Sequence, residues 1–489
     1  MPENIRKPGF FSRLSQPVDL TRGTPWRVIL RYAAPIMISC FLQQIYVLTD
    51  AVICGQVLTA GEVAGVNDTF PLTFIFLQFA FGCTAGFSVI TARYVGSGDA
   101  RGVRQSFVAQ VYLSLGISAV LTTASLLLLP WMLGLIHVTP LNREVYDAAY
   151  TYCFIIFLGI LAQMGYNFIC GILRAFGDSV TPLLFLLIST VLNIGLDLLF
   201  LAGLRMGPAG AAAATILAQF LSVIACTVYT FVRYPELRLH REDFRVGFPS
   251  LLSHLGQGLP LGLQFSILAV GIIVMQGAVV RFDLLPDGTM VAGTPAQNGY
   301  GAASKLINFL MAAFNGLGSA ILGYNAQNYG KGDRVRIRRG TLQTLLIMLV
   351  ISVFCTGAGF LLSIGGAYQY IFMSADKVTA DSVRFGNTFL YVDMIFYAIL
   401  GFLIVVRSAV QGLFLPGYVL GAGTAELTAR ILICSFLPAL VNGAPTDASA
   451  STLAFAAVCF GDPGAWMLAS SVLLIPLFCN ILGHRKNNN

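Results

Sequence analysis

The sequence predicts an all-α integral membrane protein with twelve transmembrane helices in two pseudo-symmetric six-helix lobes. Three observations carry that expectation. The composition is too poor in charge for a soluble surface, apolar runs of spanning length recur along the chain, and the second half repeats motifs of the first.

Of 489 residues, 10% are charged and 56% are hydrophobic, and the mean hydropathy is +0.78. A soluble domain carries roughly 25% charged and 45–50% apolar residues, so a chain of this length could not cover a water-facing surface. The formal charge of +7 does not indicate a nucleic-acid partner, because Lys and Arg fall in short segments between apolar runs and build no continuous basic face. Ten cysteines stand singly and four histidines are dispersed, a pattern that supports neither a zinc site nor a disulfide framework.

A spanning helix needs about 20 mostly apolar residues. Twelve segments qualify: 28–54, 65–92, 106–130, 147–172, 181–203, 208–232, 251–281, 298–326, 341–364, 385–406, 416–441 and 454–482. Open strands would leave backbone groups unpaired in hydrocarbon, and the apolar period is too long for a barrel. The stretch of 27 residues before the first run, of mixed polar character, includes Arg6, Lys7, Arg13, Arg22 and Arg27 and is followed by no small-residue cleavage site, so it reads as a tail rather than a signal peptide. With both termini on one side, that side carries 22 of the 29 Lys and Arg residues. The other carries five (Arg143, Arg205, Arg281, Lys377 and Arg384), and Lys305 and Arg430 lie within spans. Positive charge marks the cytoplasmic side, which places both ends there.

The repeat organises the chain. ARYVGSGDARGVR (92–104) is echoed by AQNYGKGDRVRIR (326–338), matching Gly96, Gly98, Asp99 and Arg104 to Gly330, Gly332, Asp333 and Arg338. ILRAFGDSVTP (172–182) parallels VVRSAVQGLFLP (405–416), aligning Arg174 with Arg407, and Gly210-Ala211 matches Gly464-Ala465. An even number of spans per repeat gives both halves one orientation, as parallel repeats have. The expected organisation is a tail (1–27), an N-lobe (28–232), a cytoplasmic linker (233–250), a C-lobe (251–482) and a second tail (483–489).

These motifs resemble those of the multidrug and toxin extrusion (MATE) family. AAPIMISCFLQQIYVLTDAVICGQ (33–56), GILRAFGDSVTP (171–182), NIGLDLLFL (193–201) and GPAGAAAAT (207–215) stand in that family's order, and the likeness covers roughly residues 25–480. The pattern is most similar to the DinF-like bacterial branch, because the seventh span lacks the glutamate that some other branches carry. The resemblance implies a multidrug exporter of small organic, cationic or amphiphilic compounds in the cell membrane. It also implies alternating access coupled to H⁺ or Na⁺, with no other cofactor and no enzymatic reaction. The expected partners are a small-molecule substrate and the lipid bilayer, with the chain acting as a monomer.

An Asp at mid-membrane costs about 2.5–3.5 kcal/mol on insertion scales, so each one asks for a reason. Asn193 precedes Asp197 by one helical turn on the same face. Asp197 and Thr215 lie equally far from the turn joining spans five and six, and spans one and five run in the same direction, which brings Asp50 into the same half of the membrane. Hard oxygen ligands of this kind suit Na⁺, and a buried carboxyl suits H⁺ equally. The resemblance assigns the cation-coupling role to Asp50, Asn193, Asp197 and Thr215, a possible Na⁺ site. The bland alternative has Asn193 and Asp197 bonding only each other or a backbone carbonyl. Pro35 removes a backbone bond in span one and is the expected bending point, unless its kink serves packing alone.

Gln44, Gln163, Asn167 and Asp393 are candidates for lining the substrate cavity, against interhelical bonding as the plainer role. Glu426 and Arg430, spaced i, i+4, read as a structural ion pair, and Lys305 stands at a depth where it could pair with Asp393. The two GxGD turns, Arg174, Asp178 and Arg407 fall at cytoplasmic helix ends and read as structural or gate-forming. Two rivals remain open: a lipid-linked precursor flippase of the same superfamily, and a membrane-embedded enzyme, for which no DDxxD, HExxH or paired catalytic aspartates are present.

Overall fold

Six of the membrane-crossing helices open with a proline in their first two positions, where the missing backbone N–H leaves no bond unmade. The computed structural model describes residues 16–136, 138–374 and 377–483, so much of the first expected tail and nearly all of the last (483–489) lie outside the described residues. Span one is Pro25–Val57, span two Phe70–Ser97, span three Ala100–Leu135, and span four Arg143–Leu158 with Ile160–Ala175. Span five is Val180–Asp197, continued by the π-helical turn Leu198–Gly203, and span six is Pro208–Arg233. Spans seven, eight and nine are Phe248–Val280, Pro295–Lys331 and Arg334–Ser363. Span ten joins Ala380–Ile395 to Tyr397–Gly412, span eleven is Pro416–Asn442, and span twelve runs from Thr452–Cys459 through Gly461–Pro476 into a π-helical turn, Leu477–Leu482. Large apolar side chains such as Leu127, Val350, Phe354 and Leu440 stand fully outward, as a lipid-facing belt requires.

Three details depart from the sequence expectation. Span two begins at Phe70 rather than near residue 65, because Ala60–Asp68 is a separate short helix, closed at its start by a capping box between Thr59 and Glu62. Spans four and ten are broken, bending by 44° at Gly159 and by 55° at Phe396. The two breaks occupy corresponding places in the repeat. At the first, a β-carbon on Gly159 would collide with Ile216 of span six, so close packing there depends on glycine.

Spans one to six and seven to twelve form two bundles, with the first turns of span one sunk into the core of the second: Ile29, Tyr32 and Ile36 share a buried cluster with Leu317, Ile321 and Tyr324 of span eight. The bundles meet most closely along spans two and seven, where Gly82 faces Gly262 and Gly86 faces Gly258 with no room for a β-carbon on any of the four. Small residues let helices approach in this way where lipid gives no hydrophobic drive. At the face where span one starts and span twelve ends, called the terminal face below, the two repeated motifs touch across the lobes. A β-carbon on Gly96 would strike the Gln327 carbonyl, and one on Gly330 would strike that of Arg93. Gly98 and Gly332 end their helices in the left-handed region (φ 74° and 80°), and Asp99 and Asp333 then accept from the backbone N–H of Gly102 and Arg336 to start the next helices.

Two further segments fasten the terminal face. The stretch before span one runs across both bundles. Val18 N–H donates to Gly177 O at 3.0 Å, and Asn328, Lys331 and Arg336 of the other bundle donate to backbone oxygens of residues 20–23, with Leu20 fully buried between them. The inter-bundle connection docks on span three, where the Arg104 guanidinium donates to the Asp243 carboxylate at 2.9 Å. Burial alone would raise the Asp243 carboxyl, but the His240 backbone N–H and Arg104 outweigh it and hold the group below the usual aspartate range. A carboxyl depressed in the folded state contributes stability that is present above its unfolded pKa and lost as pH falls through the folded value. Asp243→Asn is therefore expected to cost about 1.5–3 kcal/mol at neutral pH, the worth of a hydrogen bond to a charged group. Melting curves in detergent should show the gap to wild type closing only below the ordinary aspartate range.

Candidate functional site

Span five presents Asn193 and Asp197 on one face, and both are buried, at 1% and 0% exposure. Asp197 is the last residue before the α-helix widens into its π-turn, a local unwinding frequent at functional sites. Span one brings Asp50 to the same level, with its carboxyl within hydrogen-bonding reach of that of Asp197. Span six adds Thr215, whose hydroxyl accepts from the Asn193 amide at 3.5 Å. All four residues expected from the sequence thus stand together, in the half of the bundle away from the terminal face.

The polar groups of this cluster are not satisfied among themselves. Among the described residues neither oxygen of Asp197 has a donor, and neither do the Asn193 amide oxygen and one buried oxygen of Asp50. A buried polar group without a partner costs roughly 1–3 kcal/mol, more when charged. Four such acceptors on neighbouring helices are of the type that a small cation could satisfy. The alternative in which Asn193 and Asp197 merely bond each other does not describe this geometry, since the Asn193 amide turns to Thr215 instead. Sequence reasoning missed three neighbours. Tyr46 lies within reach of Thr215 and close to both aspartates, and Tyr152 and Cys54 flank Asp50. Tyr46 stands four residues before Asp50, one helical turn away on the same face, a signal the sequence did hold.

Pro35 sits inside a helix that remains continuous from Pro25 to Val57, and its carbonyl accepts from Ser39 Oγ at 2.9 Å. Gln44 and Gln163 are half-buried, on spans one and four. Asn167 and Asp393 do not share a cavity. Asn167 lines a small pocket of about 70 Å³ between the bundles, and Asp393 lines one of about 290 Å³ reaching into the second bundle.

In that larger cavity the expected Glu426–Arg430 pair is present at 3.7 Å but is the weakest link of a longer chain of charges. Arg430 bonds principally to Asp462 of span twelve, and Glu426 to Arg407 of span ten. Arg407 is accordingly not a helix-end residue, as the sequence suggested, but a member of this buried network. The proposed Lys305–Asp393 pair does not form: Lys305 is exposed, and Asp393 is buried with one oxygen unpartnered. Asp462, which the sequence reading passed over, was visible as an acid about two turns into a predicted span. Removing one partner of a buried ion pair costs about 3–5 kcal/mol, so this network holds three helices of the second bundle together.

The family model described as MatE matches residues 35–199. Probable multidrug resistance protein YpnP of Bacillus subtilis is 30% identical over 327 residues, which span 65% of this chain and 68% of the relative. DNA damage-inducible protein F of Escherichia coli is 23% identical over 345 residues, 68% of this chain and 71% of that protein. Among solved structures, a MOP superfamily transporter from Pyrococcus furiosus superposes with a TM-score of 0.81 at 21% identity, covering 94% of this chain and 96% of that one.

Proposed function

The chain belongs to the MATE family of multidrug efflux transporters, and from that premise we propose that it is a secondary active antiporter in which an inward-moving H⁺ or Na⁺ drives small organic molecules, cationic or amphiphilic, out of the cell. It is a carrier and not an enzyme. The observation that supports the coupling is the facing pair Asp50–Asp197, whose buried oxygens lack donors. Two carboxylates so placed repel one another until a cation lies between them. Asn193 and Thr215 complete an oxygen-rich shell of the type hard monovalent cations favour.

In this reading the charge-rich terminal face is cytoplasmic, by the positive-inside bias, and the packed glycines there keep it shut. A cation arriving from outside at Asp50 and Asp197 relaxes their repulsion and lets span one repack against span five, with Pro35 supplying a point where span one lacks a backbone bond to break. The bundles then rock and the cleft changes sides. A membrane potential adds about 2.3 kcal/mol per elementary charge per 100 mV, enough to sustain a useful concentration ratio.

Purified protein in vesicles, loaded with a fluorescent organic dye and given a pH gradient or a Na⁺ gradient in turn, tests the proposal. One gradient alone is expected to drive dye movement, and the other to have little effect. Dye movement indifferent to both gradients would overturn the antiport reading.

A further inference from the structure

The small pocket between the bundles is built unlike the cation cluster. Tyr32, Thr84, Ser88, Asn167, Arg174 and Ser319 supply its polar groups, and no carboxylate lines it. Arg174 has no carboxylate partner among the described residues. The nearest acid along its helix end, Asp178, is already committed, accepting from the Thr181 N–H and hydroxyl and from the Tyr234 hydroxyl. The ionisable groups around the Arg174 guanidinium are phenols and thiols: Tyr32, Cys40, Tyr166 and Cys170. Two turns earlier on the same helix face, the Asn167 amide nitrogen is buried without an acceptor.

The repeat supplies an internal control. Arg407, the counterpart of Arg174 in the second half, is neutralised by Glu426. Among the described residues, one of two equivalent arginines is thus paired and the other is not, and the second stands beside an orphaned amide donor between the lobes. The helix end that carries Arg174 is itself held rigidly, since its carbonyl accepts from Tyr32 and the next carbonyl from Gln327. A guanidinium so placed, with an amide and hydroxyls beside it, matches a carboxylate or phosphate oxygen group.

We propose that Arg174 and Asn167 form an anion-binding subsite at the closed end of the cleft, which takes the carboxylate or phosphate group of the transported molecule. The assignment rests on the export reading for the word transported; binding itself does not. The pocket, about 70 Å³, is of a size to take such a group. Among the amphiphiles of the proposed function, those that engage this subsite carry an anionic group.

The test uses two dyes of one shape and opposite charge, carboxyfluorescein and tetramethylrhodamine methyl ester, with fluorescence anisotropy on the full-length protein in lipid-free detergent. Wild type is expected to prefer the anionic dye. R174Q should weaken that binding by about tenfold or more, the equivalent of one charge-assisted hydrogen-bonded contact. R174K should restore part of it, and neither variant should weaken binding of the cationic dye. N167L, which keeps the branched shape of the side chain and removes the donor, should cost a smaller factor, and it keeps the idea testable where R174Q folds poorly. Equal affinity of wild type, R174Q and N167L for carboxyfluorescein would overturn the assignment. So would loss of that binding when phosphatidylglycerol is added, because a lipid headgroup would then be the occupant. Since the readout is equilibrium binding, a failure of gradient-driven export leaves it standing and is told apart from it.

Discussion

Asp197→Asn is expected to reduce gradient-driven export by about 5- to 150-fold, the range that coupling free energies of 1–3 kcal/mol span, while substrate still binds. The substitution is isosteric and replaces one acceptor oxygen with a donor. In the present cluster Asp197 faces Asp50 with both oxygens unsatisfied, so the new amide donates to Asp50 and fills the place a coupling cation would take. The repulsion that separates the two states then disappears, and the lobes lose the differential interaction on which any population shift depends. Asp50→Asn should act in the same direction. The double variant should be no worse than Asp197→Asn alone, because the two carboxyls work as one unit and their effects are not additive. Dye export under an imposed gradient, with dye binding measured on the same preparations, reads both expectations. Additive losses in the double variant would mean that the aspartates serve separate steps.

Gly96→Val has the second largest expected effect, through a different element. In the closed terminal face a β-carbon on Gly96 has nowhere to go but into the Gln327 carbonyl, and Gly330 stands in the mirrored position against Arg93. Backbone cannot yield as a flexible side chain does, so the clash is relieved only by separating the bundles. Overpacking of this kind costs about 1–3 kcal/mol, which would raise the population of the state open at the terminal face by about 5- to 150-fold. Ala92, one turn away and 2% exposed, reports the change. A cysteine placed there should react with an impermeant maleimide far faster in the Gly96→Val background, as read by mass spectrometry of that site, and export should fall because the closed state is no longer reached. Gly330→Val should reproduce the effect. Gly98→Ala should leave Ala92 protected, because that glycine meets no neighbour and is required only for its left-handed turn.

The spans were legible in the sequence because length and hydropathy are one-dimensional properties that the bilayer enforces helix by helix. The repeat was legible because glycines at 96, 98, 330 and 332 are needed by contact and by turn geometry, so they recur in register. The breaks at Gly159 and Phe396 were not, since apolar composition continues unchanged across each one. The short helix before span two was absorbed into it for the same reason, Val63, Ala64 and Val66 being as apolar as a span. At the candidate cation site, Asp50, Asn193, Asp197 and Thr215 were readable as costly polar residues in hydrocarbon, and counting residues from the connecting turn was enough to set their depth. Partner choice in the second bundle was not readable. Arg430 has Glu426 at the favourable i, i+4 spacing, yet it turns to Asp462 on another helix, and Glu426 in turn is met by Arg407 of span ten. Such pairings are decided by how helices rotate against one another, which spacing along a single helix does not encode.

In the proposed coupling one monovalent cation resides between Asp50 and Asp197, and a binding count tests this without any transport step. Detergent-purified protein at neutral pH, titrated with ²²Na⁺ while released protons are followed with an indicator dye, should show a single exchangeable cation. Either one Na⁺ is taken up, with any proton it displaces counted, or Na⁺ is refused and one proton exchanges when the pH is stepped. Asp197→Asn should abolish that exchange. If wild type and Asp197→Asn bind Na⁺ and protons alike, the pair is a structural feature of the first bundle and the coupling ion is held elsewhere.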